Sequence, residues 1–131
     1  MKSREPLIRA KRFQMDDMRR RIAQIEGMIA DFDRMIADLD RDIALEEQRS
    51  GISDPRHFAY PPLAQAARGR RDNLRTSVDE LSLQRDSARG MLTQVEADLA
   101  LAEAAGEMER GGKSDAGARR RGWRAGETLR L

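Results

Sequence analysis

Residues 8–46 read IRAKRFQMDDMRRRIAQIEGMIADFDRMIADLDRDIALE, and their spacing decides the fold. Taken in sevens, one column is Ile8, Met15, Ile22, Ile29, Ile36 and Ile43. The second column is Lys11, Met18, Ile25, Phe32, Leu39 and Glu46. Ten of these twelve positions are apolar, at alternating intervals of three and four. A 3.5-residue period marks a helix that winds against another helix. It cannot serve a strand, whose faces alternate at every second residue. The stripe is two columns wide, which suits a coiled-coil partner and not the wall of a large globular core.

The rest of the chain supplies that partner. Residues 62–105 repeat the pattern with Ala64, Arg71, Val78, Arg85, Leu92 and Leu99 in one column. Ala67, Leu74, Leu81, Ala88, Val95 and Ala102 form the other. Arg71 and Arg85 interrupt it, and their stems can lie along the seam while the charged heads reach water. Gly27, Gly69 and Gly90 all fall at the outermost heptad position, f, where they leave both seams intact.

Between the two lies a connector with strong punctuation. Ser50-Gly51 stops the first helix, with Gly51 suited to a left-handed cap. Asp54-Pro55 starts a short turn, and Pro61-Pro62 opens the second helix. At the other end, Pro6 fits a first helical turn behind a possible Ser3 cap. The sequence therefore predicts an all-α fold: an antiparallel two-helix coiled-coil hairpin over residues 1–105, with a helix over 4–49, a connector over 50–61 and a helix over 62–105. Residues 106–131 are rich in glycine and arginine and lose the apolar period, so they are expected to form a flexible, disordered tail.

Flanking charges test the hairpin. Counting opposed levels along the seams, Asp40 should face Arg68, Asp33 should face Arg75, Arg12 should face Glu96 and Asp42 should face Arg70. Arg19 against Arg89 and Glu5 against Glu103 are like-charged mismatches in the same count. Such pairs choose register more than they add stability.

Composition narrows the function. Of 131 residues, 37% are charged and only 4% are aromatic, a profile of long helices. The net charge of +2 gives no bulk case for nucleic acid. Cysteine is absent, which removes thiolate nucleophiles, thiolate metal sites and disulfides. No apolar run is long enough for a transmembrane segment. The N-terminus carries basic residues without an apolar block behind them, which is not the pattern of a secretory signal. His57 is the only histidine and lies in the connector. Asp31, Asp33, Asp38, Asp40 and Asp42 spread around helical faces and lack the loop spacing of a calcium site. We therefore expect no catalytic residues, no cofactor and no metal: a protein that is not an enzyme.

Charge along the first helix is more telling. Residues 1–21 hold eight basic and three acidic side chains, a net of +5; residues 22–50 hold three basic and eight acidic, a net of −5. Phe13, Leu83 and Leu101 fall off both seams. Phe13 lies among Arg9, Lys11 and Arg12, and aromatic and arginine side chains dominate interface energies.

Two stretches carry a family resemblance. Lys2-Ser3-Arg4-Glu5 with Lys11-Arg12-Phe13-Gln14 is the first. The second is Ile52-Ser53-Asp54-Pro55-Arg56-His57-Phe58-Ala59-Tyr60-Pro61, followed by Ala66-Ala67-Arg68-Gly69-Arg70-Arg71-Asp72-Asn73-Leu74. Together they resemble the flagellar export protein FliJ family in its alphaproteobacterial form, over about residues 2 to 105. The turn segment is the specific part; the glycine-rich tail departs from the family, where a charged helical continuation is expected. The resemblance implies a coiled-coil stalk or chaperone of the flagellar type III export apparatus, which binds the export ATPase ring and the membrane-embedded export gate and assists export of flagellar proteins. It implies a cytoplasmic protein held peripherally at the inner face of the cell membrane at the flagellar base, with export substrates or their chaperones as further partners. The alternative is a generic coiled-coil adaptor or substrate-holding chaperone without ATPase contact. The candidate partner-binding residues are Arg9, Lys11, Arg12, Phe13, Arg19, Arg20 and Arg21 at the open end, assigned to the ATPase, and Phe58 and Tyr60 at the turn, left for a component such as the gate.

Overall fold

The computed structural model describes the backbone of residues 4–130 and the side chains of residues 4–111. It is an all-α hairpin of two helices, α1 (Arg4–Ser50) and α2 (Pro62–Arg130), joined by one connector. All twelve heptad positions expected on α1, and all twelve expected on α2, are buried or half-buried. The spacing of apolar residues thus identifies the inward face of each helix without exception.

The helix pair forms two compact units. One holds the chain up to Met18 together with Met91 onward; the other is Arg19–Gly90. In the first, Ile8, Val95 and Leu99 are the buried large apolar residues. In the second, Ile22, Ile25, Ile43, Tyr60 and Ala64 are the buried apolar residues. The other seam residues of this unit, including Phe32, Leu39, Leu74 and Leu81, are only half-buried, because two helices alone cannot enclose their seam.

Both helix ends at the connector follow local chemistry. Gly51 adopts φ +73°, and its N–H donates to the carbonyl of Glu47 at 2.9 Å, closing the last turn of α1. Ser50 Oγ accepts the N–H of Ile52 at 3.1 Å. Pro62 starts α2, as expected, because proline at a first helical position forfeits no intrahelical bond. The Ser3 cap lies outside the described residues.

The second helix corrects one boundary. The expected stop at Ala105 is not where pairing ends: Gly106 is buried, and a β-carbon built on it would lie 3.8 Å from Ile8 Cδ1. Arg4 pairs with Glu109 at 2.9 Å. Gly106 and Glu109 are the next a and d positions of the same heptad. Their residue types hide the period, yet the geometry continues it. The backbone of α2 runs on to Arg130 through the stretch 106–131 that was expected to be a flexible tail, and the side chains beyond residue 111 lie outside the described residues.

The charge pairs correct a second expectation. Arg12 meets Glu103, at 2.7 and 3.0 Å, and not Glu96. Arg75 lies 3.9 Å from Asp40, which Arg71 also contacts at 3.2 Å, while Asp33 and Arg68 take no part in these pairs. Arg89, expected opposite Arg19, pairs with Glu26. For Arg12, Arg75 and Arg89 the partner is displaced by one heptad, while Glu5 and Glu103 still line one concave patch. The cause is the tilt of side chains toward the N-terminus of their own helix. In an antiparallel pair the two tilts point opposite ways, so long side chains from e positions meet residues of higher number than backbone levels alone imply.

Candidate partner-binding surfaces

The open-end basic residues divide into two groups once their neighbours are known. Lys11 is committed to Asp98 at 3.7 Å and Arg12 to Glu103. These two cations, expected to face a partner, meet acidic residues on α2 across the helix pair. Arg9 lies in a concave patch of about 260 Å³ with Glu5, Glu103, Glu107 and Arg110, a mixed-charge surface. Phe13 is 69% exposed, a large apolar side chain directed at solvent.

In the second unit, Arg20 and Arg21 are exposed and form no ion pair among the described residues. Arg19 is exposed too, but it is already engaged. The outward basic set is therefore Arg9, Arg20 and Arg21. Leu83 and Leu101 are exposed as their heptad positions require.

The connector is a built structure. Asp54 Oδ1 accepts the N–H of Arg56 at 3.0 Å, an Asx turn that starts the reversal. The N–H of His57 then donates to the Asp54 carbonyl, and the N–H of Tyr60 to the His57 carbonyl, each at 3.0 Å. His57 Nδ1 accepts the N–H of Ala59 at 3.0 Å. Its ring stacks on Phe58 with centroids 4.8 Å apart and planes inclined by 22°. The result holds Phe58 outward at 96% exposure.

Tyr60 turns the other way, which corrects its assignment as a contact residue. It is 7% exposed and its hydroxyl donates to Glu47 Oε2 at 2.9 Å, tying the connector to the last turn of α1. Burial, reinforced by that carboxylate, pushes the phenol above its ordinary value, with Arg68 opposing. Pro61 fixes the preceding backbone as extended and so aims the ring inward.

Arg71 sits at an a position with a side chain only 12% exposed. Burial alone lowers its pKa, but hydrogen bonds to Asp40 and Asp72 outweigh burial and raise it. This is the arrangement expected of an arginine that interrupts a seam: stem inside, head paired. Among the acidic run of α1, Asp31 pairs with Arg34 and Asp38 with Arg41. No group of three or more histidine, aspartate or glutamate side chains among the described residues is placed to hold a metal ion. No helix is long and apolar enough to cross a membrane, among the same residues.

One surface escaped the sequence reading. Met28, Met35, Leu45 and Leu63 are large apolar residues left exposed within Arg19–Gly90. They occupy g and c positions on one flank of the helix pair. Their signal was legible as methionine at consecutive g positions, but methionine next to an apolar seam passes for part of the seam.

No protein-family model, curated protein or solved structure matches the chain.

Proposed function

We propose that the chain is a non-enzymatic component of the flagellar type III export apparatus, a coiled-coil stalk or chaperone that engages the export ATPase ring through its basic N-terminal segment. The observation that carries this reading is the turn segment Ile52 to Pro61, which resembles the FliJ family. A two-helix hairpin is the fold that the resemblance implies, and it supplies the consistent background. The outward residues Arg9, Phe13, Arg20 and Arg21 are the contacts offered to the ATPase; complementary charge would steer that encounter. Phe58, held outward by the hydrogen-bonded connector, is offered to a second component such as the export gate. In this reading the protein works in the cytoplasm against the inner face of the membrane at the flagellar base, near export substrates and their chaperones.

The test is stimulation of the export ATPase by purified protein. The double variant Arg20→Glu, Arg21→Glu should keep its helical spectrum, because both side chains are exposed and unpaired. It should lose stimulation, and wild-type binding should weaken as salt rises. Phe13→Ala should weaken binding with less salt dependence. Full stimulation by the folded double variant, with loss on Phe58→Ala, would reverse the two ends. No ATPase binding by wild type would leave the generic adaptor as the better reading.

A further inference from the structure

The two flanks of the helix pair within Arg19–Gly90 are unlike. On the e flank, cross-helix bonds close the seam: Glu26 to Arg89, Asp40 to Arg71 and Arg75, and Glu47 to Tyr60. The g flank stays open. Two concave stretches of about 410 Å³ each run along it and share Leu39 and Arg70, so they form one groove. Met35 (49% exposed) and Leu45 (50% exposed) line its α1 wall, and Leu63 lies at its end. Half-buried Leu39 and Leu74 form part of the lining, so the seam itself is visible from this side.

We propose that this groove is a self-association face, on which a second copy of the chain docks to complete an antiparallel four-helix bundle. The proposal is independent of the export reading. Its argument is charge. Asp42 on α1 and Arg70 on α2 line the same concave stretch, yet neither forms an ion pair among the described residues. Other charges around the groove are already served within the chain: Asp38 by Arg41, and Glu46 by Arg49. A closed dimer has twofold symmetry, so if residue i meets residue j of the other copy, j also meets i. Let the axis lie in the interface, parallel to the helices. Then α1 of each copy lies over α2 of the other, antiparallel and at the same level. Asp42 of each copy meets Arg70 of the other, giving two equivalent ion pairs from one unpaired couple. The same operation covers the exposed apolar residues and gives each helix antiparallel neighbours, the common arrangement of four-helix bundles.

Complementary charge reversal tests this directly. Sedimentation equilibrium of the full chain should show a monomer–dimer equilibrium at concentrations up to about 100 μM. Asp42→Arg and Arg70→Asp should each weaken self-association at least about tenfold, because each homodimer then holds two like-charged contacts. An equimolar mixture of the two variants should recover wild-type affinity, since the mixed dimer restores both pairs. Circular dichroism of each variant alone should match wild type. A wild-type chain that stays monomeric throughout that range would overturn the proposal, even if the groove then captured an amphipathic helix from another protein. So would a mixture that associates no better than its components, because it would mean that the two residues act only within one chain.

Discussion

Tyr60 shows how one hydroxyl can fix a connector. Its bond to Glu47 joins residues 13 apart in sequence at the point where the chain reverses. Tyr60→Phe keeps the buried ring and removes only that bond, so it should lower stability by about 1 kcal/mol, read as a shift in the denaturant midpoint at unchanged slope. The phenol also has a pH signature. Its folded pKa is raised above the ordinary value of 10.0, so its contribution is fully present below about pH 10 and is lost as pH rises through the folded value. Wild type should therefore lose stability in strong alkali more steeply than Tyr60→Phe. Gly51 is the second decisive residue here. At φ +73° a side chain is strained even though space is open, so Gly51→Ala should cost about 1 kcal/mol.

At the scale of elements, the seam explains most of the energy. Phe32 lies in the middle of α1 at a half-buried d position. Phe32→Ala should cost about 2–4 kcal/mol, below the full value for an enclosed core, and thermal unfolding should show it. Gly106→Ala should act in the opposite sense. The added β-carbon meets Ile8 and Arg110 at ordinary contact distances of 3.8 and 3.6 Å, and alanine gains about 1 kcal/mol of helix propensity. The helix pair was legible because the period of apolar residues is a property of each helix alone. The extension through Gly106 and Glu109 was not, because it continues a geometric period through residues that are not apolar. The ion-pair partners were missed for a related reason. Heptad letters give the level of the backbone, whereas partners depend on where a long side chain ends.

Considered whole, the chain spends many of its charges on itself. Arg12 with Glu103, Arg4 with Glu109 and Glu26 with Arg89 are all solvent-exposed pairs, each worth about 0–1 kcal/mol. Raising salt from about 0.1 M to about 1 M should therefore change the unfolding free energy by no more than about 1–2 kcal/mol. Chemical denaturation at the two salt levels measures this. Binding to a partner through Arg20 and Arg21 should respond far more strongly, so the two measurements separate the internal charges from those turned outward. This also states why the candidate surfaces were only partly legible in the sequence. Arg9, Lys11 and Arg12 are the same to a count of charge, and only the fold reveals that Lys11 and Arg12 are occupied. Tyr60 and Phe58 are two aromatics in one short connector, and only the direction of the backbone before Pro61 separates a buried anchor from a solvent-facing ring.

The hydrogen-bonded connector has a kinetic consequence. Contacts near it join residues close in sequence, whereas Arg12 and Glu103 are 91 residues apart. Closing a long loop costs more entropy than closing a short one, so pairing that starts at the connector and zips toward the termini meets the lower barrier. Asp54, which starts the reversal, then belongs to the folding nucleus, and Val95 to a part that docks after the barrier. Stopped-flow measurements should find that Asp54→Ala mainly slows folding, while Val95→Ala mainly speeds unfolding.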